Sequence, residues 1–435
     1  MARCGVVPVA AMRKRMQLDR RVVYSFMFLM LAMNAAVFFT SWRDIRAGNN
    51  DFPVFYSNAQ MVREGQAARL YDFAAENSFV HRVSDLARAP NNHLPYELLI
   101  FIPLTYLSFG AAHLLWTLVS LGMLLGVALL MRSMPPAELS LRDTLLATLA
   151  FFPVWYCLLQ GQDSILLMLL FALSFWLWKR GRDDAAGLAL AMGLFRPQLV
   201  LPFVLVAFLA GKWKFIRGFI PGAVLVLLVS AAVVGVHGMA DYAGIVMSQG
   251  MQESAGALAQ QWQVHLGLMP TLRGLLWVVL PASVPGNLRN GMLIFGTLAG
   301  LLWAAERLRG VKDGVAFDMT FAMAVAAVTL VSFHSLPHDF SLMILPLLIC
   351  AGIFTPLERR EELRAQRGNP YTWVTVGFLL FFTPLYFVLI FAEKVGLLVL
   401  PSVVFLWLIG SWARSGLPVL MAPQRRVEPI SILPS

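Results

Sequence analysis

Long apolar stretches recur along the whole chain, and they constrain its fold more than any other feature. Runs of about 18 or more apolar residues are long enough to cross the hydrocarbon core of a bilayer as helices. The 435-residue sequence is 59% hydrophobic and only 13% charged, which lies well outside the range of ordinary soluble domains. The sequence therefore predicts an all-α polytopic membrane protein with about 11 to 13 transmembrane helices and without a sizeable soluble domain.

The positive charges lie next to the apolar runs, as they do in membrane proteins. The net charge of +10 comes from short basic clusters beside apolar runs, a pattern that keeps the flanking loops in the cytoplasm. Anionic lipid headgroups, and not nucleic acid, are the expected counter-charge. The sequence predicts two cytoplasmic tails, residues 1–21 and 414–435, around a single integral-membrane domain, residues 22–413, in the inner or plasma membrane.

Two polar loops are predicted on the outer side of the membrane. The first helix carries the chain outwards, so residues 42–94 form the first outer loop, with short helices lying in the interface. Residues 237–269 form the second outer loop. His93 is expected on the outer side and the weakly basic turn at 132–142 in the cytoplasm, so the chain between them must cross the membrane an odd number of times. Two apolar runs nevertheless fit between them. Either the Tyr96–Leu107 run is re-entrant or that turn faces outwards.

Four polar groups converge on the outer side in this topology. Ionisable groups at the ends of membrane helices are costly unless they serve a site or a water-filled cavity. A shared outer cavity is therefore predicted, and its walls are the segments around Asp51, Gln160–Asp163, His237–Met269 and His334–Asp339. The sequence contains no nucleotide-binding loop, zinc-protease motif or CxxC spacing. Neither a cofactor nor a metal site is predicted.

Asp51 is the first candidate for chemistry. A carboxylate in a fixed geometry can accept a proton from a sugar hydroxyl. Asp51 also precedes Phe52 and Pro53, and Asp followed by Pro is typical of a helix start, so a capping role is the alternative. For Asp51 considered alone the capping role is favoured; together with the other polar groups, the general-base role is favoured.

The turn between two apolar runs at residues 160–163 allows two roles. The side-chain amide of Gln162 can form hydrogen bonds with sugar hydroxyls, and Asp163 can do the same or cap the helix that begins at Ser164. The sequence does not favour one of these roles over the other.

Two further charged positions lie beside apolar runs. Arg196 stands at the bend of an apolar hairpin, where a guanidinium must have a partner; a lipid phosphate fits its fork, and snorkelling or a backbone carbonyl is the alternative. His338 and Asp339 precede an apolar run. His338 can contact a phosphate, oriented by Asp339, or the pair can form an ordinary interfacial turn.

Several motifs, taken together and in their order, resemble glycosyltransferase family 87, whose members are membrane enzymes of the GT-C type that use polyprenyl-phosphate sugars. The resemblance covers about residues 20 to 355. The sequence differs from the family pattern at three places: Arg196 stands where Lys is common, Asp163 stands where Asn is common, and His93-Leu94-Pro95-Tyr96 stands where the family has Tyr-Pro-Pro. The motifs that carry it are Asp51-Phe52-Pro53-Val54-Phe55-Tyr56, Glu64-Gly65, Leu70-Tyr71-Asp72, the segment from Asn91 to Leu104, Gly161-Gln162-Asp163-Ser164, Ala186-Gly187-Leu188-Ala189 and the late His338-Asp339.

The resemblance implies a GT-C-like helix bundle and a set of functional residues. It implies that Asp51 is the general base and that a lipid-linked donor binds beside it. The candidate donor-binding residues are Arg196, His338, Gln162 and Asp163, and the candidate supporting residues are Tyr56, Asp72, Asn92 and Asp339.

The sequence and the resemblance together predict an inverting hexosyltransferase. Its donor would be a polyprenyl-phosphate-linked sugar, with mannose as the first candidate, and its acceptor a lipid- or glycan-linked hydroxyl on the outer membrane face. The alternative is a transporter or flippase of a sugar or a lipid-linked sugar. Transporters often show matching broken helices in two halves, and this sequence shows no such internal symmetry.

Overall fold

Helices account for all the regular structure in the described part of the chain. The computed structural model describes residues 9–85, 93–132, 139–250, 265–354 and 370–415, and no strand occurs among them. The predicted all-α polytopic fold is confirmed. The α-helices are α1 (Val9–Thr40), α2 (Trp42–Arg46), α3 (Phe52–Arg63), α4 (Phe73–Val80), α5 (Leu98–Phe101), α6 (Phe109–Arg132), α7 (Leu141–Ala150), α8 (Phe152–Gln160), α9 (Ser164–Lys179), α10 (Asp183–Ala191), α11 (Pro197–Leu209), α12 (Trp213–Gly250), α13 (Leu272–Val279), α14 (Gly286–Leu308), α15 (Gly314–Val331), α16 (Ile344–Phe354), α17 (Pro370–Phe381), α18 (Thr383–Phe391) and α19 (Val399–Ser415).

The membrane-crossing helices fall into three groups by length and composition. Five are long and apolar enough to cross a bilayer, and two bent pairs, α7 with α8 at 67° and α17 with α18 at 59°, raise this number to seven if each pair is one span. Four shorter apolar helices remain among the described residues. The predicted 11 to 13 crossings are reached only if these four also cross. The long spans are Arg21–Thr40, Phe109–Arg132, Trp213–Met247, Gly286–Leu308 and Gly314–Val331.

The first predicted outer loop folds into short helices, as expected. Phe52 at the start of α3 is fully buried and packs edge-on against Phe101 at 6.3 Å between ring centroids. Phe55, one turn later, stacks on the same ring at 4.9 Å. Because α3 buries most of its side chains, it is part of the protein core, and this anchors the residue that immediately precedes it, Asp51.

The ambiguous segment after His93 is not a span. It consists of two 3-10 turns, Pro95–Glu97 and Ile102–Tyr106, on either side of the four-residue α5. A broken segment of this kind covers only about 20 Å, whereas the apolar core of a bilayer is about 30 Å thick. The structure therefore favours the re-entrant alternative.

The predicted hairpin around Arg196 is present as two short helices. α10 and α11 are separated by residues 192–196, and Arg196 is the residue immediately before α11. The segment predicted as the second outer loop, residues 237–269, begins with helix. The backbone breaks at Gly235, where φ is 76°, and then continues as helix to Gly250; residues 251–264 lie outside the described part of the chain. The C-terminal helix similarly continues to Ser415.

Candidate active site

Asp51 stands immediately before α3, but its side chain does not cap that helix. The side-chain oxygen of Asn50 accepts the hydrogen bond from the Phe52 amide instead, at 3.2 Å. The Asp51 carboxylate turns away and accepts a hydrogen bond from Nε2 of Gln162 at 2.6 Å. The residue as a whole is partly exposed. Of the two roles weighed for this residue, the geometry excludes the cap.

The turn at residues 160–163 is held against the start of α3. Gly161 adopts a left-handed φ of 65°, and a Cβ added there would lie 2.6 Å from the Cβ of Phe52. Trp116 of α6 donates a hydrogen bond from its indole nitrogen to the Gly161 carbonyl at 3.0 Å. Close approach and this hydrogen bond together bring Gln162 within reach of Asp51.

Arg196 joins Gln162 to a second carboxylate. The Arg196 side chain is 4% exposed. Its Nη2 donates to Oδ1 of Asp163 at 2.5 Å and to Oε1 of Gln162, and its Nε donates to the same Asp163 oxygen at 3.0 Å. Both the snorkelling and the carbonyl-pairing alternatives for Arg196 are therefore wrong. Asp163 does not cap α9, so the geometry excludes that alternative as well.

Asp339 completes the charge arrangement from a different part of the chain. Its carboxylate accepts hydrogen bonds from Oγ of Ser164 at 2.9 Å and from the Leu336 amide at 3.1 Å. Oδ1 of Asp339 also lies 3.7 Å from Nη1 of Arg196. These contacts join the 334–339 segment to the start of α9.

His338 presents an imidazole to this cluster. The residue is 1% exposed, and neither ring nitrogen has a hydrogen-bond partner among the described residues. Nε2 lies 3.6 Å from Oδ2 of Asp339, and the ring is nearly parallel to that of Tyr156, with centroids 6.4 Å apart. Because no described residue forms a hydrogen bond with its nitrogens, His338 is a candidate for binding a polar ligand.

Two residues that were not assigned a role from the sequence, His93 and Glu97, belong to the same cluster. Nδ1 of His93 lies 2.8 Å from Oε2 of Glu97 and 3.9 Å from Oδ2 of Asp163. The side chains of Glu97 and Asp163 interact directly. Glu97 is the one charged residue in the apolar stretch from Leu94 to Leu104, and a lone ionisable group in such a stretch is a signal for function.

Burial controls the charge state of the cluster. It raises the pKa of Asp51 and raises the pKa of Glu97 and of Asp163 to about 7. It also lowers the pKa of His93 and of His338 to about 4, so both imidazoles are neutral at pH 7. Burial alone would lower the pKa of Arg196, but the neighbouring carboxylates outweigh it and raise that pKa. We refer to these residues as the Arg196 cluster: Asp51, His93, Glu97, Gln162, Asp163, Arg196, His338 and Asp339.

Two other predicted site residues, Tyr56 and Asp72, make contacts outside this cluster. Tyr56 donates its hydroxyl hydrogen bond to the Leu107 carbonyl at 2.7 Å. Asp72 caps α4 through the amides of Ala74 and Ala75, and pairs with Arg69 at 2.9 Å. These two residues therefore have structural contacts of their own. Asn92 lies outside the described residues.

The predicted convergence of polar segments is confirmed for three of the four. The segments around Asp51, Gln162 and Asp339 meet in the Arg196 cluster. The fourth contributes Tyr242 of α12, whose ring lies 5.8 Å from that of Tyr71; the Tyr71 hydroxyl donates to the His93 carbonyl at 2.7 Å. A small cleft reaches the cluster, and its walls are His93, Phe195, Arg196, Pro197, Gln198, Val246 and Phe333.

The fold defines a polytopic membrane protein, and the Arg196 cluster gathers ionisable groups from several segments in one buried place. In a comparison with protein families, the model of glycosyltransferase family 87 matches residues 95–333, which is more than half of the chain. The chain belongs to that family and is a membrane glycosyltransferase, which acts on a sugar donor and an acceptor. Searches of the curated proteins and of the solved structures gave no match. The matched region contains Glu97, Gln162, Asp163 and Arg196, while Asp51 precedes it and His338 follows it.

Proposed function

We propose that the protein transfers a hexose, with mannose as the first candidate, from a polyprenyl-phosphate-linked donor to a lipid- or glycan-linked hydroxyl. The observation that carries this proposal is the position of Asp51. The residue is partly exposed. Its carboxylate is not used to cap α3 and is oriented by the Gln162 amide. A general base needs a fixed position and access to the proton that it removes.

The proposed reaction is a single displacement. Asp51 accepts the proton of the acceptor hydroxyl as the acceptor oxygen attacks the anomeric carbon of the donor. The bond from that carbon to the phosphate oxygen breaks, and the polyprenyl phosphate leaves with the bonding electrons. Because one displacement occurs on the face opposite the leaving group, the configuration at the anomeric carbon is inverted.

His338 is the proposed contact for the departing phosphate. A neutral imidazole carries one N–H donor, and both nitrogens of His338 are without a partner among the described residues. Donors fixed at the place where charge develops stabilise the transition state. The contacts of Arg196 favour a different role: its Nε and Nη2 bind Asp163 and Gln162, so it positions Gln162 and adds a positive potential to the cluster.

The outer face of the membrane is the proposed location of the reaction. Asp163 and Ser164 lie at the start of α9, and Lys179 and Arg180 lie at its end. Basic residues of this kind mark the cytoplasmic ends of membrane helices. The Arg196 cluster lies at the opposite end of the helix, which favours the extracytoplasmic side and a lipid-linked donor.

Asp51→Asn tests the proposed base. The amide keeps the size of the side chain but cannot accept the proton, so transfer by purified protein in lipid vesicles should fall by about 10²–10⁴-fold. Asp72→Asn is the matched control: it changes an acid in the same predicted loop whose contacts are structural, so transfer by the folded protein should be retained. A panel of polyprenyl-phosphate sugars in the same assay identifies the hexose. Transfer by Asp51→Asn at the wild-type rate would remove the base assignment.

A further inference from the structure

Glu97 and Asp163 place two acceptor oxygens side by side in the interior. Both residues are 0% exposed. Oε1 of Glu97 and Oδ2 of Asp163 have no hydrogen-bond donor among the described residues, although the two side chains interact directly. An ionised carboxylate can only accept hydrogen bonds, and a buried charge needs a counter-charge. A cation bound beside these two oxygens would supply such a counter-charge.

His93 adds a nitrogen at the same point. One ligand atom each from His93, Glu97 and Asp163 lie within 4.8 Å of one another, with Nδ1 of His93 2.8 Å from Glu97 Oε2 and 3.9 Å from Asp163 Oδ2. Ligand atoms that share one metal ion at bond lengths of about 2.0–2.2 Å are separated by about 3–4 Å. The two separations from Nδ1 of His93, 2.8 and 3.9 Å, are close to this range.

We propose that His93, Glu97 and Asp163 bind one divalent metal ion. Carboxylate oxygens suit Mg²⁺, Ca²⁺, Mn²⁺ and Zn²⁺, whereas an imidazole nitrogen favours the transition metals. The combination of one nitrogen with two carboxylates therefore selects Mn²⁺ or Zn²⁺ over Ca²⁺ and Mg²⁺.

Neighbouring residues hold the three proposed ligands in place, as the residues around metal ligands do in metal sites. Arg196 binds Oδ1 of Asp163, and this leaves Oδ2 to face His93 and Glu97. The Tyr71 hydroxyl binds the His93 carbonyl at 2.7 Å, and the Phe55 ring contacts the imidazole edge-on, with centroids 5.0 Å apart. Fixed outer partners of this kind orient metal ligands. His93 and Arg196 also line a small cleft beside these ligands.

The proposed ion also has a defined connection to the proposed base. Asp163 binds Arg196, Arg196 binds Gln162, and Gln162 binds Asp51. A metal at Asp163 would fix the far end of this hydrogen-bonded chain. Binding of the ion can nevertheless be measured without any sugar substrate, so the two proposals can fail separately.

Titration of the full-length protein with Mn²⁺ tests the site. Protein purified in detergent is stripped with a chelator, freed of the chelator and titrated, with bound Mn²⁺ followed by electron paramagnetic resonance. We expect one saturable Mn²⁺ per chain, displacement by Zn²⁺ at lower concentration than by Mg²⁺ or Ca²⁺, and a higher midpoint of thermal unfolding with Mn²⁺ present. Glu97→Gln should weaken Mn²⁺ binding by about 10²-fold or more.

A matched control separates loss of the site from loss of structure. Glu76→Gln makes the same change at another buried glutamate, whose side chain accepts a hydrogen bond from Asn58 at 2.9 Å, and it should leave Mn²⁺ binding unchanged. If Glu97→Gln does not fold, His93→Gln replaces it and should remove the preference for Zn²⁺ over Mg²⁺. Absence of saturable binding to the wild-type protein, or equal binding by the wild-type protein and the ligand variant, would overturn the proposal and show that the two carboxyl groups share a proton instead.

Discussion

Asp51 and Gln162 are 111 positions apart in the chain and are joined by a 2.6 Å hydrogen bond from the Gln162 amide to the Asp51 carboxylate. Asp51 lies before the region that matches the family and Gln162 lies inside it. The bond therefore ties the proposed base to the helices of the family-matched region. A base that is held by a single amide donor should depend on that donor for its orientation and for its pKa.

Gln162→Ala tests the orienting effect. Without the amide, the Asp51 carboxylate can rotate away from the acceptor, and misplacement of about 1 Å costs about 10²-fold in rate. We expect kcat for transfer to fall by about this factor, with a smaller change in the acceptor KM. Gln66→Ala changes an exposed glutamine outside the Arg196 cluster and should leave both constants unchanged. An unaltered kcat in Gln162→Ala would show that the amide does not orient the base.

The pH dependence of transfer should reflect the environment of Asp51. Burial raises its pKa above 3.8, while the Gln162 hydrogen bond and the charges of Arg196 and His93 lower it and the Asp339 carboxylate raises it. The base works only when ionised, so kcat/KM should fall as the pH falls through this raised pKa, at a pH above 3.8. Gln162→Ala removes a contribution that lowers the pKa, so the acidic limb should move to higher pH. A limb that stays in place in this variant belongs to another group.

Gly161→Ala tests whether the turn must press against α3. Gly161 has a φ of 65°, and its added Cβ would meet the Phe52 Cβ at 2.6 Å. The left-handed backbone alone costs about 1–2 kcal/mol, and the contact should push Gln162 away from Asp51 and reduce transfer by about 10²-fold. Gly65→Ala is the control, because Gly65 has a φ of 76° with no atom within 4 Å of the added Cβ. It should lose a similar amount of stability and retain transfer. Equal activity of the two variants would contradict the importance of the Gly161–Phe52 contact.

Local sequence patterns predict the helices of this protein well and its buried contacts poorly. The all-α class follows from long apolar runs, and the break before Arg196 follows from Pro197. The role of Asp51 could not be decided in this way, because an Asp before Phe-Pro is a good helix start in any protein. Only the neighbouring Asn50, which supplies the cap oxygen, and the distant Gln162 exclude the capping role.

The partners of Arg196 show the same limit. A buried guanidinium must be paired, but the sequence does not say whether its partner is a ligand, a carbonyl or a carboxylate. The answer depends on the packing of α9 against the 334–339 segment, which brings Asp163 and Asp339 to the same side chain. Glu97 was detectable as a lone charge in an apolar run, whereas its contact with His93 depends on the 3-10 turn at Pro95–Glu97.

The ion pair between Lys179 and Asp318 provides a final prediction, at the opposite end of α9 from the Arg196 cluster. Nζ of Lys179 lies 2.6 Å from Oδ2 of Asp318, with 15% and 4% of the side chains exposed, so removing one partner with Asp318→Asn leaves a largely buried charge without its counter-charge. This should destabilise the protein by about 3–5 kcal/mol, and Lys179→Met combined with Asp318→Leu should recover most of the loss, since both charges are then gone.

Lys179 lies about 22 Å along α9 from Ser164, so transfer per folded molecule should remain at the wild-type level in all these variants. Thermal unfolding in detergent and the specific activity of the folded fraction measure the two effects separately. A loss of transfer without a loss of stability would mean that this end of α9 also takes part in the reaction, and that the charge pair has a role beyond joining α9 to α15.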